Sequence, residues 1–279
     1  RSGSWSPAAP RPPLQAASQS LHRSQRRCRL SHAPAMANRP ILILATRFSW
    51  PHPIWETRSQ EEYAQWIEER LHLFEHYTAR SIANCYSKPD YWVVLIGSHH
   101  DHIRARLEPI LKGTGCRTVF APYIGVGLGL STMLACEDIP YPCPVVTTNL
   151  DADDLVATDF FDVLRHLEYP PSGNATVSFA SGCNYMPKEN IYYHSSYPNN
   201  PFLSLYEDLR GAHEAQTIFF RMHTEISDHV RHHITPRSYY PMWASVVHGG
   251  NLANLSLIET NRLSFRETEA LHQRFGLLP

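Results

Sequence analysis

The segment Val145-Val146-Thr147-Thr148-Asn149-Leu150-Asp151-Ala152-Asp153-Asp154-Leu155 ends an apolar run in three carboxylates within four positions. On an extended chain Asp151 and Asp153 project to the same side, so two hard oxygen ligands converge at the end of a strand. Like charges held this close cost energy unless a cation lies between them. Mg²⁺ or Mn²⁺, bound through only one or two protein carboxylates, leaves coordination positions for a diphosphate. Asp151, Asp153 and Asp154 are therefore the candidate metal ligands. The plainer reading is that Asp154 or Asp159 caps the helix that follows, yet one cap needs one Asp, not three. A calcium-binding EF-hand is disfavoured, because Val156 stands where its loop demands glycine.

Other candidate chemistry is weaker. His248 follows the apolar run Ala244 to Val247 and precedes Gly249-Gly250, whose missing side chains permit close backbone approach to a ligand. It is a candidate metal or phosphate ligand. Gly125-Val126-Gly127-Leu128-Gly129-Leu130-Ser131 has the glycines of a phosphate cradle but lacks the Lys and the spacing of a P-loop or a dinucleotide fingerprint. His99-His100-Asp101-His102 suggests a metallohydrolase, which with the three aspartates is the main rival reading. His229, His232 and His233 lie at helical spacing and suit a solvated face. No His-Glu-x-x-His or Gly-x-Ser-x-Gly motif occurs.

An acidic cluster acts at a defined place only if rigid elements hold it, and the 279 residues suffice for one large α/β domain. From residue 40 short apolar runs alternate with amphipathic stretches, the pattern of a largely parallel sheet covered by helices. Strands are predicted at Ile41 to Ala45, Tyr91 to Gly97, Arg117 to Ala121, Val145 to Leu150, Val177 to Ala180 and Thr217 to Met222. The three- and four-residue spacing of Tyr63, Trp66, Ile67, Leu71, Phe74, Tyr77, Thr78 and Ile82 predicts one long helix over Glu61 to Asn84. Further helices are expected at Ile103 to Leu111, near Ser131 to Cys136, Asp159 to His166 and Ser264 to Phe275. The Tyr-, Asn- and Pro-rich stretch Asn184 to Asn200 suits a ligand-facing loop or hairpin.

Composition narrows the partners. Lys and Arg total 25 against 26 Asp and Glu, so no basic face for nucleic acid is written into the totals. The net charge is −1 overall, and the six Arg of residues 1–35, with no acid among them, leave −7 from Met36 onward. Residues 1–38 read as a disordered or non-native extension, the domain running over residues 39–279. Six cysteines without a Cys-x-x-Cys pair suit reduced thiols and a cytoplasmic protein. No apolar run approaches the roughly 20 residues of a membrane span.

Leu150-Asp151-Ala152-Asp153-Asp154-Leu155 with Asp159-Phe160 resembles the Asp-x-Asp segment of GT-A fold glycosyltransferases that use nucleotide sugars. With Thr46-Arg47-Phe48-Ser49, Asn200-Pro201-Phe202, Trp243 and Val247-His248-Gly249-Gly250-Asn251, the chain more closely resembles the bacterial family described as putative rhamnosyltransferases, over most of Ile41 to Asn254. Asn149 departs from that family's pattern, which favours Arg. The resemblance implies a GT-A-like single domain with a mostly parallel central sheet flanked by helices. It implies transfer of a sugar, rhamnose by the family's label, from a nucleotide diphosphate donor to a glycan or other hydroxyl acceptor, with Mg²⁺ or Mn²⁺ on Asp153 and Asp151 or Asp154 assisting. Asp151 alternatively contacts the donor's ribose or sugar hydroxyls. Arg47, Phe48, Asn149 and Asp151 are then the candidate nucleotide-sugar contacts. An inverting transfer needs a base for the acceptor's proton, for which Glu207, Asp208 and His248 are the candidates. A nucleotide-sugar-binding protein without turnover is the remaining alternative.

Overall fold

The computed structural model describes residues 39–49, 59–97, 101–122, 128–249 and 262–278. The first strand, β1 (Ile41–Ser49), is apolar on both faces and almost wholly buried, as a central parallel strand must be. Helix α1 (Gln60–Leu73) starts at a capping box in which the Ser59 hydroxyl accepts from the Glu62 amide and the Glu62 carboxylate accepts from the Ser59 amide. It widens into a π-helical stretch over Phe74–Ala79 and returns to α-helix as α2 (Arg80–Ala83), so the predicted long helix is present with one irregular turn. Then come β2 (Tyr91–Ile96), α3 (Asp101–Lys112), β3 (Thr118–Pro122), α4 (Leu128–Cys136) and β4 (Cys143–Asn149). After β4 the elements are short: β5 (Leu155–Val156), α5 (Phe160–His166), β6 (Ala175–Val177), β7 (Ser181–Met186), β8 (Ile191–Ser196), β9 (Ser204–Leu209), β10 (His232–Ile234), β11 (Trp243–Val246) and α6 (Phe265–Arg274).

Seven strands form the main sheet in the order β10-β6-β9-β4-β1-β2-β3. Four of its six pairings are parallel, and β9 runs antiparallel to both β4 and β6. The sheet is thus mixed where a mostly parallel one was expected. The reason is local: the turn at Asn200 to Phe202 delivers the chain to the edge where β4 ends, and β9 descends from there. Alternate residues of the central strands feed two apolar layers. Leu42, Leu44, Trp92 and Val94 face α1 and α3, whereas Ile43, Ala45, Val93, Leu95 and Val145 face α4.

A second sheet, β5-β11-β7-β8, was not foreseen. Its β7–β8 hairpin occupies the stretch expected to be a loop or hairpin. Gly182 on β7 lies under Trp243, where a Cβ would sit 2.1 Å from the indole ring. Thr217 to Met222 forms turns instead of the predicted strand, with Ile218 and Phe219 packed into the core below the sheet. The three histidines predicted on a helical face are split between a 3-10 turn ending at His229 and strand β10. Cys85, Cys116, Cys136, Cys143 and Cys183 are all free thiols. No described helix is long and apolar enough to cross a membrane.

Candidate functional site

From β1 the chain steps outward to β2 and β3, then crosses back to place β4 on the other side of β1. This reversal makes the crevice beyond the C-terminal ends of β1 and β4 the natural ligand site of the sheet. Ala45 pairs with Asn149, so Arg47 at the end of β1 and the acidic turn after β4 emerge side by side. The Leu150 amide donates to the Ala45 carbonyl and the Asp154 amide to that of Asp151, folding Asp151–Asp154 into a turn over this crevice.

The three carboxylates take three different partners. Asp151 Oδ1 accepts from Arg47 Nη2 at 3.0 Å, and the Arg47 guanidinium also lies over the Phe219 ring. Asp153 Oδ2 lies 2.9 Å from His248 Nε2, just beyond β11. Asp154 turns inward, its Oδ1 accepting from the Val246 amide at 2.9 Å and from the Ser245 hydroxyl at 3.2 Å. Burial works to raise the Asp153 carboxyl, but the hydrogen bond to His248 and the charges of Arg70 and His248 prevail and hold it below the usual range. Asp154 goes the other way: burial, then the neighbouring charges of Asp153 and Asp151, raise it well above the usual range against its bonds to β11.

The three carboxylates diverge rather than converge on one point. Asp154 spends its carboxylate on the β11 backbone, and among the described residues no three His, Cys, Asp or Glu side chains converge in a metal-binding group. Asp153 and His248 form a smaller set, a carboxylate oxygen and an imidazole nitrogen in mutual contact. Mg²⁺-type sites use as few as one or two protein ligands when phosphates supply the rest.

Phe48 lies in the core with its ring edge-on to Phe74, so it has no surface for a nucleobase. Asn149 is also buried. Its Nδ2 donates to the Pro201 carbonyl at 2.9 Å, while its Oδ1 is buried with no hydrogen-bond partner among the described residues. Glu207 and Asp208 pair with Val145 and Pro144 toward the start of β4, away from the acidic turn. Both Glu207 oxygens are engaged, accepting from the Gln216 amide at 2.8 Å and the Thr217 amide at 3.0 Å, so this residue braces a turn and is not placed as a base. Asp159 makes no cap bond to α5 and pairs with Arg274. The motif residues Asn200, Phe202 and Trp243 are scaffold: Asn200 Nδ2 donates to the Phe179 and Tyr197 carbonyls, Phe202 stacks on Trp243, and Trp243 Nε1 donates to Phe179. Gly129 sits where a Cβ would meet the Pro122 carbonyl at 2.3 Å, which explains one of the clustered glycines by packing. Gly125 and Gly127, His99 and His100, Gly250 and Asn251 lie outside the described residues, as do residues 1–38. His102 lies on α3.

Two site residues escaped the sequence reading. Arg70 of α1 donates from Nη2 to the Arg47 carbonyl at 3.0 Å and lies over the rings of Trp66 and Phe48. Its signal was an arginine on the helix face otherwise occupied by Ile67, Leu71 and Phe74. Thr78, which the spacing marks only as a core position, donates its hydroxyl to the Asp154 carbonyl at 2.9 Å.

Three solved structures share part of this architecture at low overall superposition. A nucleoside-diphosphate-sugar pyrophosphorylase from Vibrio cholerae RC9 is 13% identical over 74% of this chain and 91% of that chain, with a TM-score of 0.34. An inositol-1-phosphate CTP transferase from T. maritima is 8% identical over 75% and 85%, with a TM-score of 0.33. A 4-diphosphocytidyl-2C-methyl-D-erythritol synthase from Anaerococcus prevotii is 12% identical over 84% and 97%, also at 0.33. No curated protein matches the chain in sequence. The model of the family described as putative rhamnosyl transferase matches residues 37–259, a span that contains the switch-point crevice, the acidic turn and His248. The chain belongs to this transferase family.

Proposed function

We propose that this chain transfers a sugar from a nucleoside-diphosphate donor to an acceptor hydroxyl in a metal-dependent reaction. The observation that carries the reading is the Asp153–His248 contact at the switch-point crevice, with Arg47 beside it. Asp153 and His248 would hold the ion. When bound, Mg²⁺ or Mn²⁺ would offset the negative charge that grows on the departing diphosphate. Arg47 offers further charged donors to phosphate oxygens. Asp151, hydrogen-bonded by Arg47, would accept from hydroxyls of the donor. Transfer joins the acceptor oxygen to the anomeric carbon, breaks that carbon's bond to the diphosphate and releases the hydroxyl proton. With His248 assigned to the ion and both Glu207 oxygens engaged by the Gln216 and Thr217 amides, the acceptor's proton is assigned to no side chain here.

The test is a thermal-shift screen of the full chain with nucleoside diphosphates and their sugar conjugates, with and without Mn²⁺. A rise in Tm that needs both Mn²⁺ and one nucleotide, with consumption of the matching sugar donor, is expected, and the family's name puts rhamnose conjugates first. Binding without consumption would leave a nucleotide-sugar-binding protein. Absence of a shift with every nucleotide would overturn the proposal.

A further inference from the structure

The acidic turn is held from below by a group that takes no part in ligand chemistry. Thr78 is fully buried in the π-helical stretch that follows α1. Its Oγ1 donates to the Asp154 carbonyl at 2.9 Å and lies 3.5 Å from the Asp151 carbonyl, the same oxygen that accepts from the Asp154 amide. The Thr78 carbonyl in turn accepts from Ser81 Oγ at 3.0 Å, tying the hydroxyl's own backbone to the next turn of helix. Asp154 is clamped from its other end, where its carboxylate accepts from β11. Helix and second sheet therefore both hold the Asp151–Asp154 turn, leaving Asp151 partly exposed beside Arg47 and Asp153 buried against His248. π-Helical turns recur at functional sites, and here one carries the gripping hydroxyl.

We infer that Thr78 is a positioning residue for the acidic turn, setting the place of Asp153 relative to His248 through the Asp154 carbonyl. Its ligand-binding consequence rests on the proposed nucleotide chemistry, whereas its grip on the turn does not. Thr78→Val keeps the shape and removes the donor, and Thr78→Ser keeps the donor. Without its donor a buried carbonyl is left unsatisfied, and amide exchange in the segment 150–156 should rise by about tenfold or more in Thr78→Val. Exchange in β1 and β2 should stay unchanged, and Thr78→Ser should match the wild type. Mn²⁺-dependent affinity for the nucleoside diphosphate selected from UDP, GDP, ADP and dTDP should weaken by a similar factor in Thr78→Val and recover in Thr78→Ser. If Thr78→Val does not fold, Thr78→Ala supplies the donorless variant. Turn exchange equal to wild type in the donorless variant, or a Ser variant no better than it, would overturn the inference. A wild type that binds none of the four nucleotides would overturn the proposed function, and the exchange experiment would still decide the role of Thr78.

Discussion

Replacing Asp153 by Asn separates the charge of the crevice from its shape. The side chains are nearly isosteric, and Asn retains an oxygen that can accept from His248 Nε2, where the wild-type contact is 2.9 Å. What disappears is the negative charge that His248 and Arg70 hold ionised. Partners one shell removed from a metal are already worth about 10- to 100-fold in affinity, so loss of the carboxylate itself should weaken the site by at least about 100-fold. For a nucleotide–Mn²⁺ ligand at a hundred times its wild-type Kd, the expected stabilisation is about 2.7 kcal/mol. The same concentration would be near the Kd of the variant and would stabilise it by only about 0.4 kcal/mol. At roughly 2–4 °C per kcal/mol for a domain of this size, the shift should fall from about 5–11 °C to about 1 °C. The unliganded variant should melt slightly below the wild type near neutral pH, because a carboxyl held below its usual range contributes stability above that range and loses it as the pH falls through the folded value. Thermal melts of both proteins, with and without nucleotide and Mn²⁺, check this. An undiminished Mn²⁺-dependent shift in Asp153→Asn would refute the reasoning.

Three further outcomes are expected. Arg47→Ala should lower stability by only about 0–1 kcal/mol, as for a partly exposed ion pair, yet weaken nucleoside diphosphate binding by about tenfold in calorimetric titration, since the loss falls on the ligand's phosphates. Glu207→Gln should destabilise by about 1–3 kcal/mol, because one of the two amides that Glu207 accepts would face an NH₂ group. Burial raises the Glu207 carboxyl, so its favourable contribution is full below the ordinary glutamate value and is lost as pH rises through the folded one. The gap in stability between wild type and Glu207→Gln should therefore narrow with rising pH across that window in denaturant titrations, and turnover per folded molecule should be retained. A gap independent of pH, or turnover lost in proportion to a missing base, would contradict the bracing role. Gly182→Ala should lower stability by about 1–3 kcal/mol or more in the same titrations, because the added Cβ would have to displace the Trp243 ring.

Regular elements near the start of the domain were legible because local periodicity and burial agree there. The short apolar runs that open β1 and make up β2 suit buried strands, and the spacing from Tyr63 to Ile82 marks one helix whatever its irregular turn. The segment Glu207-Asp208 shows the opposite case. Its sequence has no alternation of its own, and its strand state comes from pairing with β4 and β6, which single-segment propensity does not encode. The same holds for β5, β10 and β11, each four residues or fewer and stable only in company.

At the crevice the division is as sharp. The presence of an acidic turn after a buried strand follows from the order of residues alone, because strand, turn and carboxylates are contiguous. Which carboxylate faces the crevice does not, for it depends on groups far along the chain: Arg47 takes Asp151, His248 takes Asp153, and β11 draws Asp154 inward. Partners separated by about 90 to 104 positions are brought together only when β1 and β4 pair at the switch point and the second sheet packs beside them. Local chemistry thus determined that charge would collect at this edge of the sheet, and tertiary packing decided which of the charges a ligand can meet, because burial and hydrogen bonding act between segments that the sequence keeps apart.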